Sequence, residues 1–349
     1  MHWNPSVMNR DIIVIGASAG GIDALRALLG GLPRDLDASV FVTMHVAADS
    51  PGVLPRMLQE TCPLPVEHAR DGEEIRRGRV YVAPPDCHLL VERDRVRVSH
   101  GPKENLCRPA IDPLFRSAAY VFGPRVVGVV LTGRLDDGTA GLWAVKRRGG
   151  AALVQDPDEA TYPSMPRSAI RYVEVDEVAP LAALGPLLAR LAGEAPPPVD
   201  GEPSRQMEIE TRIATEENAL NAGVLELGPF TPYTCPECHG VLVSLPEGGV
   251  PRFRCHTGHA YSLDSLLAAV TTSMEDTLWG AVRAIEEGIL LLEHVGRHAR
   301  ENTPGGAGAE AFERRAELAA EVAEMVRGAA MRNRALSTES LRAAGHAAD

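Results

Sequence analysis

Apolar residues follow two regimes along the chain. Between Asp11 and about residue 192, short runs rich in Val and Ile alternate with stretches whose apolar positions recur every three or four residues. The runs predict strands at 11–15, 39–44, 66–69, 79–83, 127–131, 151–154 and 172–175. The periodic stretches predict helices over 21–31, 52–60, 111–121, 138–148 and 180–191. Residues 88–92 and 95–99 flank Arg93-Asp94 and read as a hairpin. Strand–helix alternation of this kind predicts an α/β fold: a doubly wound, mostly parallel sheet with helices on both faces.

The second regime begins after a proline-rich polar break at 193–203. Residues 205–228 read as a helix or a loose connector, and 230–262 hold a Cys/His cluster. From Leu263 to about His298 the apolar spacing becomes helical, through Leu266, Leu267, Val270, Met274, Leu278, Val282, Ile285, Ile289, Leu292 and Val295. The run Thr303-Pro-Gly-Gly-Ala-Gly308 stops it, and a second helix is expected from Ala309 to about Ala343. The pair predicts an antiparallel helical hairpin, the stripe forming its seam; self-association or binding of a regulator is the second use for it.

Composition narrows the function classes. With 349 residues the chain is long enough for two domains. A net charge of -12 argues against a nucleic-acid partner, which would demand a basic face. No targeting signal is read in Met1–Arg10, and the apolar run at 12–15 is too short for membrane insertion. A cytoplasmic protein with reduced thiols is expected.

Candidate chemistry lies at the ends of the predicted strands. The first runs into Gly16-Ala-Ser-Ala-Gly20 before a helix, a sharp turn that would expose Ser18 at the carboxyl edge of the sheet. Backbone N–H groups at that helix start would face a developing oxyanion. His45 ends the second strand, and Asp137 follows the 127–131 strand. Serine, base and orienting acid thus fall on one rim, the arrangement acyl transfer requires. Asp136 is the neighbouring alternative for the acid. A non-catalytic binding module and a nucleotide-binding domain are the rival uses of this scaffold; the second lacks a G-x-G-x-x-G pattern and a P-loop lysine.

Residues 11 to about 178 resemble the catalytic domain of the CheB family of chemotaxis protein-glutamate methylesterases. The resemblance runs through Ile15-Gly-Ala-Ser-Ala-Gly-Gly21, His45, Val80-Tyr-Val-Ala-Pro84, Arg108-Pro-Ala-Ile-Asp112, Leu131-Thr-Gly133 with Asp137-Gly138, and Met165-Pro-Arg-Ser-Ala-Ile170. It implies a triad of Ser18, His45 and Asp137; Ala19, Gly20, Arg108 and Arg134 are the expected oxyanion or substrate contacts beside it, with a surface or helix-capping role before Pro109 as the alternative for Arg108. It also implies hydrolysis of γ-glutamyl methyl esters on a methylated chemoreceptor, deamidation of receptor glutamines, and no cofactor for catalysis. Three departures stand out. Ala19 replaces the usual Thr; Arg134-Leu135 replaces Met-Gly; and the usual receiver domain has no room before Asp11, so regulation without an attached receiver is expected.

Cys235-Pro-Glu-Cys238 and Cys255-His-Thr-Gly-His259 form two paired turns with metal-ligand spacing. Cys235, Cys238, Cys255 and His259 are expected to close a structural tetrahedral Zn²⁺ site in a zinc-ribbon-like module; His256 competes with His259, and His239 less so. The expected organisation is a methylesterase-like domain over 8–192, a linker and connector over 193–229, the zinc module over 230–262 and the helical hairpin over 263–349.

Overall fold

The computed structural model describes residues 9–198, 201–215, 218–302 and 308–333. Residue 8, most of the stop at 303–308 and the expected second-helix residues 334–343 lie outside the described residues. The chain divides between Ser265 and Leu266 into two compact units.

The first unit is built on nine strands in its first half: β1 Ile12–Ala17, β2 Ser39–Met44, β3 Val66–His68, β4 Arg79–Val82, β5 His88–Val91, β6 Val96–Ser99, β7 Val126–Val130, β8 Ala151–Gln155 and β9 Glu177–Ala179. Six helices intervene: α1 Gly21–Gly30, α2 Leu54–Gln59, α3 Ile111–Phe122, α4 Thr139–Arg147, α5 Ser164–Tyr172 and α6 Leu181–Ala192. Seven strands form one sheet in the order β3-β4-β2-β1-β7-β8-β9, every pair parallel. β5 and β6 make the expected antiparallel hairpin.

Alternation along the strands sends side chains to opposite faces. Ile13, Ile15, Val40, Val42, Val127, Val129 and Leu153 pack with Leu25 and Leu28 of α1 and Leu184 and Leu188 of α6. Ile12, Val14, Phe41, Tyr81, Val130 and Val154 pack on the other side with Leu114 and Phe115 of α3 and Leu142 of α4. Because both faces are covered, the central strands need apolar residues at every position, which explains their unbroken Val/Ile runs.

The expected strand at 172–175 is not one. Residues Ser164–Tyr172 are helical, and the edge strand comes later, at Glu177–Ala179. Val173 is buried against the core as the chain leaves the helix, and the Asp176 carboxylate accepts the Ala152 N–H at 2.8 Å. The apolar alternation there reports packing of a helix exit, not a ladder.

Beyond residue 198 the first unit continues through α7 Arg205–Ala214 and α8 Ala219–Ala222. A four-stranded antiparallel sheet follows: β10 Phe230–Thr234, β11 Val241–Leu245, β12 Arg252–Cys255 and β13 Ala260–Ser262, in that order. β11 and β12 pair antiparallel as a small hairpin.

The second unit is a helical pair formed from α9 Leu263–Asn302 and α10 Ala309–Arg332. Ion pairs Glu286–Arg327 and Arg300–Glu313 and the bond from Asn333 Nδ2 to the Thr271 carbonyl fix the pair as antiparallel. Ala309, Ala316, Ala323 and Ala330, spaced by seven, are buried on α10. The expected seam on α9 is only partly used: Leu266 and Val282 are buried, while Val270, Met274 and Val295 are exposed. Among the described residues no helix is long and apolar enough to cross a membrane.

Candidate active site

β2, β1 and β7 are neighbours in the sheet, and β1 lies where the strand order changes direction, so a crevice opens outside their carboxyl ends. Ser18 leaves β1 into a turn whose Gly20 has φ 74, a left-handed conformation glycine adopts without steric cost, and caps α1. Gly16 serves another need: a Cβ there would run into Ile111 at the start of α3, so its absence lets that helix approach β1. The Ser18 N–H donates to the Thr132 carbonyl at 3.0 Å, and the Thr132 hydroxyl donates to the Ala19 carbonyl at 3.0 Å. The turn is thereby tied to the segment after β7.

His45 follows β2, its N–H donating to the Ala17 carbonyl at 3.1 Å. Its Nδ1 is 3.0 Å from Ser18 Oγ, and its Nε2 is 2.7 Å from Asp137 Oδ2. An ionised carboxylate only accepts, so Nε2 carries the proton and Nδ1 is left to accept from the serine hydroxyl. The imidazole side chain is 16% exposed and the carboxylate 3%, so the imidazole reaches solvent while the carboxylate does not.

Asp137 sits at the amino end of α3. It accepts the Ile111 N–H at 2.7 Å, the Asp112 N–H at 3.3 Å, the Gly138 N–H at 3.0 Å and Asn105 Nδ2 at 2.8 Å. Burial alone would raise its pKa; the bond from His45, the positive imidazole and these N–H donors reverse the sign and hold it below the usual carboxylate range. Burial likewise opposes a charged His45, but the bond to Asp137, aided by the Cys107 sulfur, holds the imidazole above its ordinary 6.5.

Two neighbouring carboxyls behave oppositely. Asp112 is pushed up to about 8 by burial and by the Asp137 charge, so the pair shares one negative charge near neutrality. Asp136, the alternative acid, turns away: it accepts from the Ser262 hydroxyl at 2.6 Å and is pushed up to about 7 by burial. The structure thus brings His45 to Asp137 and not to Asp136. Ala19 and Gly20 are accessible at the Ser18 turn. Arg134 is exposed beside it, its guanidinium 4.8 Å from the Tyr162 ring centre. Leu135 has φ 60, a left-handed conformation that strains an L residue with a Cβ. Arg108 is engaged elsewhere, pairing with Asp86 at 2.8 Å and donating to the Gly101 carbonyl at 2.9 Å.

Sequence reasoning missed Asn105 and gave Asp112 no role. Asp112 belongs to a recognisable motif, but Asn105 is a lone loop asparagine with no pattern around it. Only its position between Asp112 Oδ2, at 3.0 Å, and Asp137 Oδ1 marks it.

The four expected metal ligands converge in the four-stranded sheet. Cys235, Cys238, Cys255 and His259 place one ligand atom each within 4.8 Å of one another. Cys238 Sγ is 3.5 Å from Cys255 Sγ, and His259 Nδ1 is 3.7 and 3.6 Å from the sulfurs of Cys235 and Cys255. A tetrahedron with Zn–S bonds near 2.3 Å has edges of about 3.8 Å, so the set fits that ion. Outer contacts suit it as well: Tyr261 Oη is 3.2 Å from Cys235 Sγ, and Glu237 faces His259 Nε2 at 3.6 Å. His256 is exposed and lies outside the cluster.

Comparison with known proteins bears on the first half of the chain. The family model for CheB methylesterase matches residues 13–188. A Leptospira interrogans protein, provisionally named protein-glutamate methylesterase/protein-glutamine glutaminase, is 43% identical over 185 residues, covering 53% of this chain and 96% of its own length. Protein-glutamate methylesterase/protein-glutamine glutaminase 5 of Anaeromyxobacter dehalogenans is 41% identical over 184 residues, spanning 52% of this chain and 51% of that one. The crystal structure of the Thermotoga maritima CheB methylesterase catalytic domain superposes with a TM-score of 0.50 at 34% identity, covering 52% of this chain and 98% of the domain. The chain belongs to the CheB methylesterase family.

Proposed function

We propose that the protein is a protein-glutamate methylesterase, with glutamine deamidation as a second activity, acting on methylated chemoreceptor-like proteins in a cytoplasmic chemotaxis-type pathway. The observation that carries this reading is the unbroken relay from Ser18 Oγ through His45 to Asp137, at 3.0 and 2.7 Å. Ser18 attacks the ester carbonyl as His45 Nδ1 takes its proton. Asp137 stabilises the imidazolium through Nε2–H and fixes the tautomer. The Ala19 and Gly20 N–H groups receive the oxyanion. The imidazolium then protonates the departing methoxy oxygen, so methanol leaves, and water, activated by the same base, releases glutamate from the acyl-enzyme. With Arg108 committed to its loop, Arg134, exposed and lying over the Tyr162 ring, is placed to meet an acidic receptor helix. Residues 8–192 form the catalytic domain in this reading. The Cys3His cluster, in residues 230–262 between the 193–229 connector and the 263–349 hairpin along the chain, binds Zn²⁺ for structural purposes, and catalysis uses no metal.

Methanol release from methylated receptors tests the proposal. Ser18→Ala should reduce it by about 10⁴-fold or more, and a fluorophosphonate should label the wild type but not the variant. His45 must be neutral to act as base, and Asp137 holds its pKa above 6.5, so kcat/KM should rise with pH along a limb centred above that value. Wild-type protein that neither labels nor hydrolyses would favour a non-catalytic signalling module, the reading to which the strained Leu135 loop lends weight.

A further inference from the structure

Strand β13 and the first residues after it lie against the loop that carries Asn105. The Asn105 N–H donates to the Ala260 carbonyl at 2.8 Å, and the Ala260 N–H donates to the Lys103 carbonyl at 3.2 Å. Asn105 Oδ1 accepts from the Ser262 N–H at 2.8 Å and from the Ser265 hydroxyl at 3.0 Å. Its Nδ2 donates to Asp137 at 2.8 Å and to Asp112 at 3.0 Å. A carboxamide has two donors and two acceptor sites, and here all four are used. Such an amide has one orientation, and loss of any partner frees it to turn.

The chain that sets Asn105 begins at the metal cluster. His259 is adjacent to Ala260 and three residues from Ser262, while Cys255 N–H donates to the His259 carbonyl at 2.9 Å. The Ser262 hydroxyl also donates to Asp136, the residue before the triad acid, at 2.6 Å. A second, buried suture joins the same parts: Glu104 pairs with Arg116 of α3 and Arg254 of β12, both at 2.7 Å, and Glu210 of α7 pairs with Arg252 at 2.6 Å and Arg254 at 2.9 Å. The family match ends at residue 188, so residues 260–265 add support from outside the matched span.

Resting on the triad reading above, we propose that the Cys3His sheet is a brace for the triad acid: the ordered cluster fixes β13, β13 and Ser265 fix Asn105, and Asn105 positions the Asp137 carboxylate beneath His45. Asn105, Ser262 and Ser265 are positioning residues. The consequence is an esterase whose activity answers to the integrity of a remote metal cluster, with loss of the ion slackening the triad without touching its three members.

The test uses the full chain and readouts that need no substrate. One is the rate of fluorophosphonate labelling at Ser18; the other is the low-field proton resonance of the His45 Nε2–H bonded to Asp137. Ser262→Ala combined with Ser265→Ala leaves every metal ligand and the Ser262 N–H in place, and removes the Ser265 hydroxyl from Asn105 Oδ1 and the Ser262 hydroxyl from Asp136. It should slow labelling by about 10–100-fold and shift or broaden the resonance, while one equivalent of zinc stays bound. Ser265→Thr, which keeps the hydroxyl, should recover most of the rate. Cys238→Ser should reproduce the double variant's effect on the resonance as zinc is lost. A double variant with wild-type labelling and an unmoved resonance would overturn the brace. If the wild type fails to label at Ser18, the hydrolase reading falls, and the resonance alone still decides whether the module sets the Asp137–His45 bond.

Discussion

Two sheets in the first unit are held by different physics. The seven-stranded sheet buries aliphatic side chains on both faces, and its central strands carry almost nothing polar. The four-stranded sheet buries Arg252, Arg254 and two of the Cys3His thiols, and meets the rest of the unit through paired charges. Burial of apolar area is tolerant and non-directional. A joint of two carboxylates and three guanidiniums works only when complete, because any member left alone is a buried, unpaired charge. One region should therefore degrade gradually under mutation, and the other abruptly.

The strongest challenge to that contrast is Glu210→Ala, which leaves Arg252 without its carboxylate partner and Arg254 with only Glu104. We expect a loss of about 3–5 kcal/mol in urea unfolding. Leu28→Ala in the apolar core should cost about 2–5 kcal/mol, but its loss should be insensitive to pH. Equal pH dependence in both variants would erase the distinction.

pH separates the regions at intermediate scale. Burial would raise Glu104 and Glu210, but their arginine partners outweigh it and hold both below the ordinary 4.5. Their contribution is complete above that value and is lost as pH falls through the lower folded values. Asp136 acts with the opposite sign: burial pushes it up to about 7 from 3.8, so folding pays an increasing penalty as pH climbs through that window. Thermal scans should show stability falling on acidification below 4.5 and declining gently between 3.8 and 7. Asp112, pushed up to about 8, acts with the same sign, so Asp136→Asn should shrink the second limb to the share of Asp112 and leave the first.

The smallest effect belongs to the second unit. The exposed pair Arg283–Glu287 on α9 is an ordinary surface bridge, and Arg283→Ala should change stability by less than about 0.5 kcal/mol. A larger loss would mean that surface charge contributes to the helical pair as it does to the buried joint.

Local pattern carried much of the architecture. Unbroken Val/Ile runs alternating with helical stretches imply parallel strands buried on both faces, and β–α alternation puts every strand's carboxyl end on one edge. That is why Ser18, His45 and Asp137, scattered over 120 positions, were legible as neighbours from the order of elements. The paired Cys turns were legible because two ligands three or four positions apart can grip one ion from a single turn. Where pattern failed, at 172–175, apolar residues served a helix exit rather than a ladder.

Choices between adjacent or equivalent side chains needed the folded chain. Asp136 and Asp137 are indistinguishable by spacing; one meets Ser262 and the other His45 because their side chains point to different partners. His259 rather than His256 enters the cluster for the same reason. Asn105, the engagement of Arg108 and the suture between Glu104 and Arg254 depend on loops and on long-range contacts, the last spanning 150 residues. Periodicity records which face of an element is buried. It holds no information about which distant polar group will stand opposite, and for hydrogen bonds and ion pairs that is the whole of the energy.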